Sequence, residues 1–369
     1  MYNYSICIAG KNNIAVNILE YVMKLIPHNN IYVVCNKNEN GRNGWQKSLR
    51  YYAHKYNIKE IDLQQAYEIE KLIFLSMEYD RIINPNKFID AKLYNIHFSA
   101  LPSYKGMYTS ALPILNGEKY SGVTFHKIDM GIDTGDIIDQ ELFLIENKTC
   151  RELYFTYIEK GTELVIKNLQ NVLMDNELSY KQSVKNSTYY SKSAIDYNNI
   201  VIDLNKTAHE ISNQIRAYNF REYQLPCVYG KKIRKTLCTN QHSNQKPGTI
   251  IFENIDGMLI STVDYNVFLY IDRFDEVMKL CKKNNLELIK TISDIGDYVN
   301  EKDENGCTPL MLASYYNYLE IVFFFLSKGG NIFERDNNEK SILDYAKYGY
   351  NKTGDKTLCE LYYKLGLKH

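Results

Sequence analysis

Short apolar segments with strand character alternate with segments of helical spacing through the first half of this chain, and this alternation restricts its fold most strongly. SICIAG and NIYVVCN are predicted to be strands, and IAVNILEYVMKLI between them has the apolar spacing of a helix. Further strands are predicted at LIFLSM, YNIHFS, GVTFHKID and DIIDQELFLI, and a long amphipathic helix at residues 149–175. Strands that alternate with helices predict a mainly parallel sheet with helices on both faces. We assign this α/β domain to residues 1–186.

Residues 187–273 have a different character. One helix is predicted at residues 206–218, and the short β-prone segments after it are separated by turns such as KPG at residues 246–248. We therefore predict a small, β-rich, mainly antiparallel second lobe, whose strand edges could pair with another copy of the chain.

The last part of the chain contains an internal repeat. Aligning NGCTPLMLA with NEKSILDYA places Thr308 on Ser341, 33 residues further on. The segment TPLMLA that begins at Thr308 resembles the ankyrin consensus TPLHxA, with Met311 in the position of its histidine. Residues 274–369 are therefore predicted to form all-α ankyrin repeats. This array could pack on the catalytic body, bind a protein partner or form an auxiliary ligand site.

Composition and charge exclude several classes of protein. The 44 basic and 44 acidic residues give a net charge of zero, which does not suit an extended nucleic-acid-binding surface. No segment approaches the roughly 18–20 unbroken apolar residues of a membrane span, and the N-terminus lacks a basic region with a cleavage site. The eight cysteines are scattered without a CxxC pair or a Cys/His cluster, so we expect reduced thiols and no metal site. These features predict a cytoplasmic protein that binds neither nucleic acid nor membrane.

Residues 95–139 carry the pattern that is most informative about chemistry. Asn95 and His97 are two residues apart on a predicted strand, so their side chains project to the same side. Pro102 ends this strand and places the amide and the imidazole near its carboxyl end, where open α/β folds bind ligands. A turn between the next two strands, GIDTG, presents Asp133 at the same edge. These three groups together suit acyl transfer to an amine, although an isolated Asn-x-His pair is more often structural than catalytic.

The chain here resembles the folate-dependent formyltransferases, which include methionyl-tRNA formyltransferase, glycinamide ribonucleotide transformylase and the sugar N-formyltransferases. Their shared pattern is NxHxSxLPxxxG followed by GVTxHxxxxxxDxG. This chain carries the pattern from Asn95 to Gly106 and from Gly122 to Gly135. The resemblance covers at least residues 1–145 and implies a Rossmann-like formyltransferase domain.

The resemblance also implies a role for each of the three side chains. His97 would be the general base or proton shuttle for the attacking amine, and Asn95 would donate a hydrogen bond to the oxyanion. Asp133 would orient His97 or relay the proton to the departing folate nitrogen. N10-formyltetrahydrofolate would be the co-substrate, and no metal would be required. The candidates for binding the folate lie on two predicted loops: Met77, Glu78, Asp129, Gly131 and Ile132.

Three kinds of acceptor are compatible with this pattern. A methionyl-tRNA formyltransferase would be expected to have a basic RNA-binding domain, which this chain of balanced charge does not suggest. A purine-pathway transformylase would be shorter. The sugar N-formyltransferases are similar to this chain also at GKN (residues 10–12), KGMYTS (residues 105–110) and IRAYNF (residues 215–220). The resemblance therefore implies a dTDP-linked amino-dideoxyhexose, the 3-amino sugar being favoured over the 4-amino sugar, and a product used for the O-antigen of lipopolysaccharide.

Side chains near these segments are candidates for binding the nucleotide sugar. Lys11 and Asn12 lie at the first strand-to-helix turn, beside a helix N-terminus that favours anions. The other candidates are cations and aromatic rings that could instead be surface or packing residues: Lys105, Tyr108, Arg216, Tyr218 and Tyr223.

Two further expectations concern assembly and the possibility that the chain is not an enzyme. The sugar N-formyltransferases are commonly dimers, so the resemblance implies a homodimer. An ankyrin scaffold with a relic catalytic domain is the alternative to an enzyme. It is disfavoured because Asn95, His97 and Asp133 are all present.

Overall fold

The computed structural model of the chain describes residues 3–367. These residues form two compact units. The first comprises the residues up to 42, residues 47–252 and residues 259–269, and the second comprises residues 43–46, residues 253–258 and the residues from 270 onward. Each unit has its own buried apolar core.

The strands build two larger sheets and one small one. In chain order they are β1 (Ser5–Gly10), β2 (Ile31–Cys35), β3 (Lys59–Glu60), β4 (Leu72–Met77), β5 (Ala91–His97), β6 (Lys105–Gly106), β7 (Tyr120–Lys127), β8 (Ile137–Leu144), β9 (Tyr189–Tyr190), β10 (Cys227–Val228), β11 (Lys231–His242), β12 (Ile250–Glu253), β13 (Gly257–Ile260) and β14 (Tyr265–Ile271). The largest sheet has the order β3-β2-β1-β4-β5-β7-β8. Its pairs are parallel from β3 to β5 and antiparallel at β7 and β8, which confirms the predicted, mainly parallel sheet.

The helices lie between these strands and at the end of the chain. In chain order they are α1 (Asn12–Val22), α2 (Leu49–Lys55), α3 (Leu63–Tyr67), α4 (Leu112–Leu115), α5 (Cys150–Leu173), α6 (Ala208–Ala217), α7 (Phe274–Lys282), α8 (Leu286–Lys290), α9 (Pro309–Tyr315), α10 (Leu319–Ser327), α11 (Ile342–Thr353) and α12 (Thr357–Lys364). The long helix α5 begins with a capping box, in which Thr149 and Glu152 satisfy each other's backbone N–H groups. From residue 3 to residue 367, no helix combines the length and the apolar character needed to cross a membrane.

The carboxyl ends of β1, β4 and β5 form one edge of the largest sheet. β1 and β4 approach each other closely there, because Gly10 of β1 lies against the backbone of Met77. A Cβ atom on Gly10 would lie 1.8 Å from Met77 O, so only glycine permits this approach. The residues that follow Gly10, Met77 and Ile96 therefore meet at a single edge, where a ligand site is expected.

The second sheet has the order β10-β11-β14-β13-β12, and its β10–β11 pair is antiparallel. Helix α6 packs beside β11, where the hydroxyl groups of Ser212 and Thr236 are 2.6 Å apart. This sheet and α6 form the small, β-rich lobe that the sequence predicts.

Helices α7–α12 belong to the second unit and contain the internal repeat. Thr308 is the N-cap of α9 and accepts a hydrogen bond from Met311 N at 3.2 Å. Ser341 is the N-cap of α11 and forms a capping box with Asp344. Thr308 and Ser341, which the 33-residue period aligns, are therefore both helix N-caps, and the predicted repeat is confirmed at these two positions. Met311 is buried, as a core position of the repeat requires.

Candidate active site

Asn95 and His97 lie on the same face of β5 at its carboxyl end. β7 runs antiparallel to β5 and pairs Asn95 with His126 and His97 with Thr124. Side chains that are paired across neighbouring strands point to the same side of the sheet. The imidazole of His126 therefore lies beside the carboxamide of Asn95, and both histidines are buried.

Asp133 lies on the turn between β7 and β8, and its backbone has a φ of 55°. Its Oδ2 accepts a hydrogen bond from Gly106 N at 2.9 Å and lies 3.5 Å from His97 Nδ1. Its Oδ1 accepts a hydrogen bond from Asn95 Nδ2 at 3.4 Å and lies 3.7 Å from His126 Nε2. The structure thus brings together the three side chains that the sequence nominates for catalysis and adds His126 to them.

The hydrogen bonds of His97 determine which of its nitrogens can accept a proton. Nε2 lies 2.8 Å from Tyr104 O, and a carbonyl oxygen only accepts, so Nε2 carries the hydrogen of the neutral imidazole. Nδ1, which faces Asp133, is then the basic atom. When Nδ1 takes up a proton, the carboxylate at 3.5 Å stabilises the imidazolium.

His126 fixes the orientation of the Asn95 carboxamide. Its Nδ1 lies 2.7 Å from Lys127 O and must therefore donate, which leaves Nε2 as an acceptor. Asn95 Nδ2 donates to this Nε2 at 3.1 Å. Burial lowers the pKa of His126 to about 4, so the imidazole stays neutral at physiological pH. The second hydrogen of Nδ2 makes only the longer 3.4 Å contact with Asp133 and is the one available to a substrate oxygen.

We predict that the burial of neutral His126 makes the protein less stable in acid. The pKa of this imidazole is about 4 in the folded chain and 6.5 in the unfolded chain, so between these values the unfolded chain binds more protons. The free energy of unfolding should therefore fall by up to about 3 kcal/mol as the pH is lowered through this range.

Urea unfolding of the wild type and of His126→Gln at about pH 7 and about pH 5 measures this effect. The wild type should lose more stability between the two conditions than the variant, which has no imidazole to titrate at this position. Equal losses in the two proteins would contradict a buried neutral His126.

A second polar cluster lies at the carboxyl ends of β1 and β4. Asn12 Nδ2 donates to Glu78 Oε2 at 3.2 Å and to the hydroxyl oxygen of Tyr154 at 2.8 Å, and the Tyr154 hydroxyl donates to Glu78 Oε2 at 2.8 Å. Burial raises the pKa of Glu78, and the positive charge of Lys11 opposes this shift. Asn12 and Glu78 both have left-handed backbones, with φ of 65° and 60°. The cluster presents a carboxylate at the same sheet edge as the catalytic candidates.

Comparison with known protein families and solved structures identifies the family of this chain. Family models match the chain in three places: formyl transferase at residues 21–169, formyl transferase C-terminal domain at residues 194–276, and ankyrin repeats in three copies at residues 277–364. The N-formyltransferase from Helicobacter canadensis, solved in complex with folinic acid and dTDP-3-aminofucose, is 45% identical with a TM-score of 0.69. The match covers 73% of this chain and 100% of that one. The chain belongs to the formyltransferase family.

Two further relatives match this chain over different fractions of their lengths. WlaRD, a sugar 3N-formyl transferase solved in the presence of dTDP and 5-N-formyl-THF, is 44% identical with a TM-score of 0.69, over 73% of this chain and 98% of that chain. The methionyl-tRNA formyltransferase of Clostridium beijerinckii is 35% identical over 173 residues, which are 45% of this chain and 54% of the relative. The chain therefore spans about half the length of that relative. The prediction that this chain is a formyltransferase with a C-terminal ankyrin extension is confirmed.

The residues that the sequence nominates for folate binding fall into two groups in this formyltransferase. Met77 has a buried side chain, and its carbonyl accepts a hydrogen bond from Lys11 N, so it offers little to a ligand. Asp129 shapes the turn before Asp133, because its Oδ1 accepts hydrogen bonds from Gly131 N at 3.0 Å and from the Thr134 hydroxyl at 2.6 Å. Gly131 and Ile132 are exposed on the same turn.

Lys105 and Tyr108 lie on the loop that contacts Asp133. Lys105 directly precedes Gly106, which donates to the Asp133 carboxylate, and the Tyr108 hydroxyl donates to Lys192 O at 2.9 Å. With Lys11 and Asn12 at the end of β1, these are the nominated sugar-binding residues nearest to the catalytic candidates along the fold. Their contact with substrate stays a prediction.

The residues of the second lobe that are candidates for binding the sugar already contact other parts of the protein. Arg216 donates to Lys148 O at 2.9 Å and to Asn213 Oδ1 at 2.6 Å, and burial lowers the pKa of this guanidinium. Tyr218 packs edge-on against the ring of Tyr197. Tyr223 is exposed, and its ring centroid lies 4.8 Å from that of Phe220. The exposed Tyr223 is thus the easiest of the three for a ligand to reach.

Two candidate functional residues could not be identified from the sequence alone, because they depend on strand register and on contacts between distant segments. His126 was visible as part of the GVTxH motif, but its pairing with Asn95 depends on the antiparallel register of β7. Tyr154 lies on α5 and meets Glu78 from a distant part of the sequence. Over residues 3–367, no group of three or more His, Cys, Asp or Glu side chains is arranged to hold a metal ion.

Proposed function

We propose that this protein transfers the formyl group of N10-formyltetrahydrofolate to the 3-amino group of a dTDP-3-amino-3,6-dideoxyhexose. The observation that carries the proposal is the cluster of Asn95, His97 and Asp133 at the carboxyl end of β5. The cluster lies in a chain that is 45% identical to an N-formyltransferase solved with folinic acid and dTDP-3-aminofucose, over the whole of that relative.

The groups at the sheet edge fit a formyl donor and an amine. The Asn95 carboxamide offers a hydrogen-bond donor, and His97 Nδ1 offers a base within 3.5 Å of a carboxylate. Gly131 and Ile132 beside Asp133 are exposed, so a planar ligand can reach this turn. The side chains of Asn95, His97 and Asp133 therefore offer the groups that acid–base and electrostatic catalysis require.

The reaction joins the amine nitrogen to the formyl carbon and breaks the bond between that carbon and N10 of the folate. Asn95 Nδ2 donates to the formyl oxygen as negative charge develops on it. His97 Nδ1 removes a proton from the attacking amine, and Asp133 stabilises the resulting imidazolium. The same proton is then delivered to N10, so that the products are the N-formyl sugar and tetrahydrofolate.

The relatives favour a sugar over a transfer RNA as the acceptor. The sugar enzymes are 44–45% identical and are covered almost completely by this chain, whereas the first methionyl-tRNA relative is 35% identical and is covered over 54% of its length. One sugar relative was solved with dTDP-3-aminofucose and the other is a sugar 3N-formyl transferase, which supports the 3-amino over the 4-amino acceptor.

The ankyrin repeats lie outside the part of the chain that carries the catalytic candidates. The Helicobacter canadensis enzyme is matched in full by 73% of this chain, and the catalytic candidates lie within the first unit. We propose that the ankyrin repeats are an addition to a complete transferase. Packing against the catalytic body, binding of a protein partner and binding of an auxiliary ligand are the three roles predicted for them.

We also propose that the protein is a homodimer that pairs through the small lobe. β12 is the outermost strand of its sheet, and three consecutive apolar side chains on it are exposed, those of Ile250, Ile251 and Phe252. An apolar edge strand of this kind favours pairing with another chain. A cytoplasmic location and a role in O-antigen synthesis stay predictions.

The proposal is tested by offering the purified protein N10-formyltetrahydrofolate with a panel of dTDP- and UDP-linked amino sugars and with methionyl-tRNA. We expect rapid formylation of dTDP-3-amino sugars and slow or absent formylation of 4-amino sugars, UDP sugars and tRNA. Formylation of methionyl-tRNA alone would overturn the sugar acceptor. Binding of the substrates without turnover of any acceptor would favour a scaffold with a relic catalytic domain.

A further inference from the structure

We propose that residues 179–192, which we call the strap, position the catalytic groups, and that Gln182 is the positioning residue for Asp133. The strap follows α5 and crosses residue 186, where the sequence predicts a domain boundary. The inference rests on the formyl transfer proposed above.

The strap holds the turn that carries Asp133. Gln182 Nε2 donates to Asp133 O and to Gly135 O, both at 2.8 Å. Both acceptors are carbonyl oxygens, so the NH₂ end of the carboxamide must face them. Nearby, Tyr180 and Ile137 exchange two backbone hydrogen bonds of 2.9 Å and 2.8 Å. The turn is therefore fixed from the strap as well as from its own two strands.

The strap also holds the loop that contacts His97. The Thr188 hydroxyl oxygen accepts a hydrogen bond from Tyr104 N at 2.7 Å, and the rings of Tyr190 and Tyr104 stack with centroids 5.5 Å apart. β9, within the strap, pairs in parallel with β6 of this loop. Since Tyr104 O accepts the hydrogen bond from His97 Nε2, one segment bonds to both loops that touch the catalytic imidazole and carboxylate.

Both loops have backbone conformations that need such support. Asp133 and Tyr104 have φ of 55° and 58°, in the left-handed region that residues other than glycine seldom occupy. Gly131 and Ile132 beside Asp133 are exposed, and hydrogen bonds to Asp129 and from Gln182 hold this part of the turn. The hydrogen bonds from Gln182 to the turn add to those that Gly106 N and Asn95 Nδ2 donate to the carboxylate, and together they keep it 3.5 Å from His97 Nδ1.

Replacing Gln182 with leucine removes both donors and keeps a side chain of similar size. We expect kcat for formyl transfer to fall about 10–100-fold, because a displacement of about 1 Å at a catalytic group costs on the order of 10²-fold. The KM for the nucleotide sugar should stay within about threefold of the wild-type value, since both hydrogen bonds of Gln182 go to the turn that carries Asp133.

Gln182→Glu separates positioning of the turn from a general structural role. At neutral pH the new carboxylate would face two carbonyl oxygens and repel them, whereas a protonated acid could donate one hydrogen bond. Partial burial and the two facing carbonyl oxygens raise the pKa of the introduced carboxyl above the usual value of about 4.3, so the kcat of this variant relative to the wild type at the same pH should rise several-fold as the pH is lowered from about 8 to about 5.5. The same ratio for Gln182→Leu should not change with pH.

Two more variants complete the test. Gln170→Leu, at an exposed position on α5, should keep the wild-type kcat. Thr188→Val, at an exposed position on the strap, removes the acceptor for Tyr104 N and should also lower kcat, so the inference can be tested even if Gln182 variants fail to fold. Wild-type kcat in Gln182→Leu or, failing that, in Thr188→Val would overturn the inference, as would a pH-independent ratio for Gln182→Glu. A wild-type enzyme without activity on any amino sugar would instead overturn the proposed function.

Discussion

Replacing His97 with alanine is expected to lower kcat for formyl transfer about 10²–10⁴-fold, the usual contribution of a positioned acid–base group. The loss follows from the geometry, because Nδ1 is the basic atom of His97 and lies 3.5 Å from the Asp133 carboxylate. Binding of the nucleotide sugar should be nearly unchanged, since the imidazole acts on the proton of the amine. Single-turnover kinetics and calorimetric titration with the sugar measure the two effects separately.

His54→Ala is a matched control, because His54 is exposed on α2 and its removal deletes the same side chain outside the site. It should leave kcat unchanged. If His97→Ala turned over at a rate near that of the wild type, the assignment of His97 as the catalytic base would be wrong.

Asp133→Asn should lower kcat by a similar factor, about 10²–10⁴-fold. Both carboxylate oxygens accept hydrogen bonds, Oδ2 from Gly106 N and Oδ1 from Asn95 Nδ2. An amide has one oxygen, so its NH₂ group would face one of these donors, and it carries no charge to stabilise the imidazolium of His97. Asparagine tolerates the left-handed backbone of this position, so the loss would not come from backbone strain.

The control for this substitution is Asp136→Asn, which removes a charge from the same connection between β7 and β8. It should retain most of the activity, because Asp136 supplies its backbone carbonyl, and not its carboxylate, to Lys127 N. Rates are best compared at saturating concentrations of both substrates. Equal losses in Asp133→Asn and Asp136→Asn would mean that net charge, and not the contacts of Asp133, is what matters.

Local sequence patterns predicted those features that depend on short spacings. Asn95 and His97 share a face because strand side chains alternate, and Thr308 and Ser341 are both N-caps because the repeat has a fixed period. Asp133 is separated from Asn95 and His97 by β6, α4 and β7; the GIDTG turn predicts that it lies at the same sheet edge, and the resemblance to known formyltransferases implies its role. The structure then brought its carboxylate to within 3.5 Å of His97.

Contacts that depend on sheet order or on loop packing could not be predicted. Asn12 meets Glu78 because β1 and β4 are neighbours in the sheet, an order that no local pattern encodes. His126 reaches Asn95 through the register of β7. Gln182 lies in a segment without helical or strand periodicity, and its two hydrogen bonds to the Asp133 turn are visible only in three dimensions.

Arg216 has contacts within the protein that its sequence context does not reveal. The sequence makes this cation a candidate for binding the nucleotide sugar, whose pyrophosphate is negatively charged, yet its guanidinium already donates to Lys148 O and to Asn213. A buried guanidinium needs such partners to compensate for its desolvation. A phosphate-binding role for Arg216 stays a prediction that these contacts do not favour.

The central claim is that Asn95, His97 and Asp133 catalyse formyl transfer to a nucleotide-linked amino sugar. The most direct measurement mixes N10-formyltetrahydrofolate and dTDP-3-amino-3,6-dideoxyhexose with the wild type or with His97→Ala and follows the sugar by mass spectrometry. We expect the wild type to add the mass of one formyl group to the sugar with release of tetrahydrofolate, and His97→Ala to do so at a small fraction of that rate. Absence of the formylated sugar with the wild type, or equal rates for the two proteins, would contradict the claim.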